Sequence, residues 1–98
     1  MVNHVILWNL KEEFNTELIK NNIKAELEGL KGKISGLLEI KVYIEPLATS
    51  NCDVMLFSSF ESAEALAVYA SHPEHVRVAD EFVRPYTKSR VCMDYTVQ

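Results

Sequence analysis

Apolar and polar side chains follow a period of two over Met1 to Leu10, the spacing that sends successive side chains to opposite faces of a strand. Val2, His4, Ile6, Trp8 and Leu10 share one face, while Val5 and Leu7 occupy the other. Both faces are largely apolar, which predicts a strand covered on two sides. A polar break follows at Lys11-Glu12-Glu13. Asn15 then suits a helix N-cap, and Glu17 falls in a first turn where the helix dipole favours negative charge. Leu18, Ile19, Ile23, Leu27, Leu30 and Ile34 give a stripe at helical spacing, with Gly32 and Gly36 bracketing the exit.

Leu38, Ile40, Val42 and Ile44 alternate with Glu39, Lys41, Tyr43 and Glu45, a strand apolar on one face that Pro46 ends. Asp53 to Phe60 reads as a third strand, with Val54, Leu56 and Phe60 on one face and Met55 and Phe57 opposite. Ser62 can cap a helix running to Ala70. A second helical piece starts at Pro73, carries Val76, Ala79, Phe82 and Val83 inward, and stops at Pro85. Arg90 to Val97 is the last strand, its main apolar face formed by Val91, Met93, Tyr95 and Val97. The order β-α-β-β-α-β predicts one α+β domain over residues 1–98, ferredoxin-like, with a four-stranded antiparallel sheet. Strands one and three take the centre, which agrees with their two apolar faces. If all helices cover one side of the sheet, Val5, Leu7, Met55 and Phe57 need a second cover. A second copy of the chain, packed sheet to sheet, provides it most simply.

Composition narrows the function. A net charge of −4, with Lys and Arg scattered along 98 residues, argues against nucleic-acid binding, which needs a basic surface. No run approaches the roughly 20 apolar residues of a membrane span, and the amino terminus lacks a basic stretch leading into an apolar run, so a cytoplasmic location is expected. Cys52 and Cys92, placed on strands three and four with strand one between, are expected about 10 Å apart and unbridged. No nucleophile motif and no glycine-rich phosphate loop occurs, and neither a cofactor nor a metal is expected.

The chemistry concentrates in Tyr69-Ala70-Ser71-His72-Pro73-Glu74-His75. Pro73 forces a helix start, leaving His72 and His75 at a helix N-terminus with Tyr69 closing the turn before it. The positive end of that helix disfavours imidazolium, so His75 should stay neutral near pH 7. A neutral imidazole can take a proton alpha to a carbonyl, and a tyrosine hydroxyl can hydrogen-bond the resulting enolate. The same motif also reads as a helix junction whose histidines cap or pack. Both readings stand at this point.

Several segments together resemble the stress-responsive A/B barrel domain, a branch of the dimeric α/β-barrel superfamily. They are Met1-Val2-Asn3-His4-Val5-Ile6-Leu7, Leu30-Lys31-Gly32-Lys33-Ile34-Ser35-Gly36, Phe60-Glu61-Ser62, Tyr69 with His72-Pro73-Glu74-His75, Ser89-Arg90-Val91 and Asp94-Tyr95. Ser35 departs from the proline that relatives often carry there, which touches a turn and leaves the site alone. The resemblance implies two protomers whose sheets form a shared barrel, with a cavity in each between sheet and helices. It also implies roles for Tyr69 and His75, because the motif tyrosine and second histidine act in a plant polyketide-cyclase branch that performs an aldol condensation without a cofactor.

On this basis Tyr69 and His75 are the expected catalytic residues. His4, Ile6, Trp8, Leu56 and His72 are expected to bind substrate. The expected function is a homodimeric cyclase, lyase or isomerase acting without a cofactor on a small apolar or carbonyl-containing ligand. The alternative is a non-catalytic stress-related or accessory scaffold that only oligomerises.

Overall fold

Strand β1 (Val2–Leu10) is the spine of the molecule: in the computed structural model, which describes residues 1–97, it pairs antiparallel with a strand on each side. A 3-10 turn at Glu12–Phe14 leads into helix α1 (Glu17–Glu28), followed by β2 (Leu37–Tyr43) and β3 (Val54–Phe60). Helices α2 (Ala63–Ser71) and α3 (Pro73–Val78) come next, then a π-helical turn at Ala79–Val83 and β4 (Thr87–Thr96). The sheet order is β2-β3-β1-β4, so β1 and β3 are central. This is the ferredoxin-like α+β arrangement, with the core between the sheet and its helices.

Period two decides which side chains enter that core. Ile6, Trp8 and Leu10 of β1 are buried with Val54, Leu56 and Phe60 of β3 and Ile40 and Val42 of β2. Ile23 and Leu27 of α1 pack onto them. The other parity forms the outer face, where Leu7 lies between Met55 and Val91, and Val5 between Phe57 and Met93. Val91 and Met93 are each 65% exposed in the single chain, so this face is an uncovered apolar patch.

The structure corrects several details. The α1 N-cap is Thr16, whose side-chain oxygen accepts the Ile19 N–H; Asn15 instead closes the preceding 3-10 turn through its N–H to the Glu12 carbonyl. Leu30 and Ile34 lie beyond the end of α1, in a series of turns, yet remain buried. In β2 the register shifts between Leu37 and Glu39, so Leu37 turns inward and Leu38 is 42% exposed. One extra residue in a strand exchanges its faces, which a strict alternation cannot reveal. Strand β4 begins at Thr87, three polar residues earlier than Arg90, because an edge strand tolerates polar side chains on both faces. Cys52 precedes β3 and does not lie on it; both cysteines are free.

Two contacts set the helices on the sheet. The Lys24 ammonium donates to the Glu28 carboxylate and the Val42 carbonyl, and Glu28 accepts the Val42 N–H, which clamps α1 to the β2 edge. Gly36, at φ +88°, lets the chain turn directly under α2: a Cβ there would meet Ala65 Cβ at 2.6 Å. Its carbonyl accepts the Glu61 N–H at 3.0 Å, and Ser62 then caps α2 by accepting the Ala65 N–H.

This close approach predicts unequal costs at two glycines of the same backbone geometry. Gly36→Ala should destabilise the fold by about 2–5 kcal/mol, from left-handed strain plus the clash. Gly32, at φ +85° with nothing within 4 Å of a Cβ, should cost only about 1–2 kcal/mol when replaced by Ala. Urea unfolding of both variants measures the difference; equal costs would show that α2 does not press on Gly36.

Candidate active site

Pro73 builds the site by interrupting a helix. The residue before a proline is driven out of the helical region, and His72 accordingly sits at φ −65°, ψ 133° between α2 and α3. Its ring Nδ1 accepts the Glu74 N–H at 3.1 Å, capping α3. The break brings Tyr69, from the last turn of α2, against His75, in the first turn of α3. Their ring centroids are 4.3 Å apart at a tilt of 38°.

Tyr69 is the centre of an aromatic group. Its ring stands edge-on to Phe60 at 4.9 Å and to His4 at 6.3 Å, linking α2 to both central strands. The hydroxyl is buried and has no hydrogen-bond partner among the described residues. Burial pushes the phenol well above its usual range, so it keeps its proton and remains an O–H donor. His75 has the complementary property. Burial lowers its basicity; the hydrogen bond with the Ala70 carbonyl opposes this, and the charges of Arg84, His4 and Arg90 add to the lowering. A carbonyl can only accept, so at the 3.1 Å contact with Ala70 it is Nδ1 of the neutral ring that carries the proton. Nε2 is then left with its lone pair. Burial is the largest of the causes that favour the neutral ring.

These side chains line a cavity of about 530 Å³ between the sheet and α2, α3 and the π-helical turn. His4, Ile6, Trp8, Leu56, Tyr69 and His75 all line it. His72 is not among the lining residues: it belongs to the junction, where its ring caps α3. The i→i+5 hydrogen bond from the Arg84 N–H to the Ala79 carbonyl widens the chain locally, and Ala79, Val83 and Arg84 together form one wall.

Strand β4 contributes Arg90, Cys92 and Asp94 to the same cavity, and the sequence pattern marks none of the three as a site residue. His4 faces Asp94 across the ladder, and His4 Nδ1 hydrogen-bonds the Asp94 carboxylate. The Cys92 thiol lies 3.5 Å from Asp94 Oδ1 and 3.6 Å from His4 Nδ1. Burial and the Asp94 carboxylate push this thiol up, away from the thiolate a nucleophile requires. The signal that could have found these residues was parity: they alternate with Val91, Met93 and Tyr95, on the face that β1 presents His4 to.

An antiparallel sheet of order β2-β3-β1-β4, with its helices on one side over an apolar cavity, defines a ferredoxin-like α+β protein. The chain belongs to the stress responsive A/B barrel domain family, which it matches over residues 2–97. It is 33% identical over 100 residues to a stress-response A/B barrel domain-containing protein of Arabidopsis thaliana. The match takes in 97% of this chain and 36% of that protein, so the chain spans about a third of the curated relative's length. Among solved structures, a dimeric protein of unknown function and ferredoxin-like fold from Bacteroides fragilis superposes with a TM-score of 0.88 at 29% identity, covering 98% of this chain and 95% of that one. The hydroxynitrile lyase of Passiflora edulis superposes with a TM-score of 0.83 at 18% identity, covering 99% and 93%, a likeness of fold.

The electrostatics of the pair can be checked on each partner. Removing an unpartnered buried hydroxyl relieves a desolvation cost, so Tyr69→Phe should leave unfolding stability unchanged or raise it by about 1 kcal/mol. A loss of that size would reveal a stabilising partner for the hydroxyl. His75 binds a proton less readily folded than unfolded, so its effect on stability is absent well above pH 6.5 and becomes a loss as pH falls below that value. Denaturant unfolding at stepped pH should show that acid-side loss flattened in His75→Gln; identical pH slopes would contradict the lowered basicity.

Proposed function

We propose that this chain is one protomer of a homodimeric barrel whose cavity performs acid–base chemistry on a small apolar carbonyl compound. His75 Nε2 removes a proton alpha to the carbonyl, and the Tyr69 hydroxyl donates to the oxygen as negative charge develops on it. The enolate then closes a ring, cleaves a neighbouring bond or is reprotonated, which gives a cyclase, a lyase or an isomerase. His4, Ile6, Trp8 and Leu56 hold the ligand against the pair.

One observation carries this reading. A buried hydroxyl without a partner costs about 1–3 kcal/mol, and a phenylalanine would fill the same space without that cost. The unmet donor of Tyr69 beside a neutral His75 is therefore matched to a ligand oxygen. The hydroxynitrile lyase from Passiflora edulis supports it in a general way, as an enzyme of lyase type on this fold. The scaffold reading draws on the name of the Arabidopsis relative, a stress-response A/B barrel protein.

Base-catalysed exchange tests the chemistry on any ketone that the cavity admits. The protein is incubated in heavy water with a panel of small aryl and alkyl ketones, and loss of the alpha proton signal is followed by NMR. Exchange of at least one ketone should be accelerated, and His75→Ala should lower the rate by about 10²-fold or more while the fold and dimer persist. No acceleration across the panel, or equal rates in the variant, would leave the scaffold reading in its place.

The dimer rests on the outer apolar face, and the relatives of this fold that are described as dimeric support it. Light scattering at micromolar concentration should give twice the 11.2 kDa chain mass. Phe57→Glu should return it to the monomer mass or unfold it, since an unpaired charge is costly to bury. A wild-type mass of one chain would remove the partner from the account.

A further inference from the structure

We propose that His4, Cys92 and Asp94 form a binding site for one zinc-class divalent ion at the sheet side of the cavity. The ladder between β1 and β4 assembles the three donors. His4 is the direct cross-strand partner of Asp94, and Cys92 is two residues away on the same face of β4. One ligating atom from each residue lies within 4.8 Å of the others. Sequence spacing could not reveal the group, because β1 and β4 stand at opposite ends of the chain.

The distances are those of a shared coordination sphere. Zinc holds sulfur at about 2.3 Å and nitrogen or oxygen at about 2.0–2.1 Å, so donors at tetrahedral angles lie roughly 3.3–3.6 Å apart. Cys92 Sγ stands 3.6 Å from His4 Nδ1 and 3.5 Å from Asp94 Oδ1. Only the His4–Asp94 hydrogen bond must open, and an ion between them would replace the proton they share.

The angular arrangement separates an ion site from a nucleophilic relay. A relay needs both imidazole nitrogens, one toward the nucleophile and the other toward the carboxylate. In this site the thiol and the carboxylate both approach the same nitrogen, Nδ1. Three groups converging on one point form a cage and not a chain. The mixed nitrogen, sulfur and oxygen set suits zinc or cobalt better than magnesium or calcium, which prefer oxygen alone. Three protein donors leave a fourth position open to the cavity, as in catalytic zinc sites.

The strands hold the donors in place before any ion arrives. The Ser58 hydroxyl donates to the His4 carbonyl at 3.1 Å, and β1 is paired on both sides at His4. The ion site shares only His4, a ligand-holding side chain, with the acid–base reading and uses neither Tyr69 nor His75, and its test reads metal and not turnover.

The full chain, stripped with a chelator and dialysed, is titrated with Co²⁺ followed by absorption and with Zn²⁺ followed by calorimetry. One ion per chain and a thiolate-to-cobalt charge-transfer band are expected. Cys92→Ser should abolish the band and weaken zinc by at least about tenfold, the loss typical of disturbing even an outer-shell partner. Asp94→Asn should keep the band and weaken binding, and Cys52→Ser should change neither. NMR spectra of the variants without metal establish that each is folded. Absence of one-to-one binding, zinc affinity unchanged by Cys92→Ser, or a band that follows Cys52 would each overturn the site.

Discussion

The rest of the molecule depends on one strand that is apolar on both faces and paired on both edges. β1 sits between β3 and β4, so its backbone polar groups are met along the ladder and its side chains are free to serve two surfaces. Inward, Ile6, Trp8 and Leu10 seal against the helices, and each large apolar side chain buried there contributes about 1.5–3 kcal/mol. Outward, Val5 and Leu7 continue an apolar patch shared with Met55, Phe57, Val91 and Met93. The one polar side chain among the inward positions is His4, and its place on this strand puts it under Tyr69 and opposite Asp94.

A second constraint acts on the helical layer. Pro73 cannot continue a helix, so α2 ends and α3 begins with His72 as the cap of the new helix. The two histidines of the motif thereby acquire different lives. His72 spends its ring nitrogen on the backbone, while His75 lines the cavity with Nδ1 held by Ala70 and no partner for Nε2 among the described residues. The same burial acts in opposite senses on its neighbour: it keeps Tyr69 protonated and His75 unprotonated. An oxygen donor and a nitrogen base side by side in the cavity result chiefly from desolvation, with the charges of Arg84, His4 and Arg90 adding to it at His75.

Much of this was legible in the chain because it rests on periodicity and on proline. The central places of strands one and three follow from their two apolar faces, and the Tyr69–His75 junction follows from Pro73. Other features left no such mark. The bulge at Leu37–Glu39 exchanges faces within an otherwise regular alternation, so Leu38 reads as buried and is not. Thr87 to Ser89 are polar strand residues on an edge, where hydrophobic patterning carries no information. Cys92 and Asp94 enter the cavity through pairing between the chain's two ends; parity gives their face of the strand, but not that His4 stands opposite Asp94. His72 shows the converse: its motif was visible, but which of two nearby histidines caps a helix depends on backbone angles.

The central claim is that Tyr69 and His75 form a pair in which the phenol keeps its proton and the imidazole presents a bare Nε2. Nitrogen-15 NMR of the His75 ring across the neutral range tests it most directly, since the two ring nitrogens report both charge and tautomer. The account predicts a neutral ring at pH 7 with its proton on Nδ1 and a titration below the ordinary histidine value of 6.5. An imidazolium at pH 7, or a neutral ring carrying its proton on Nε2, would contradict it.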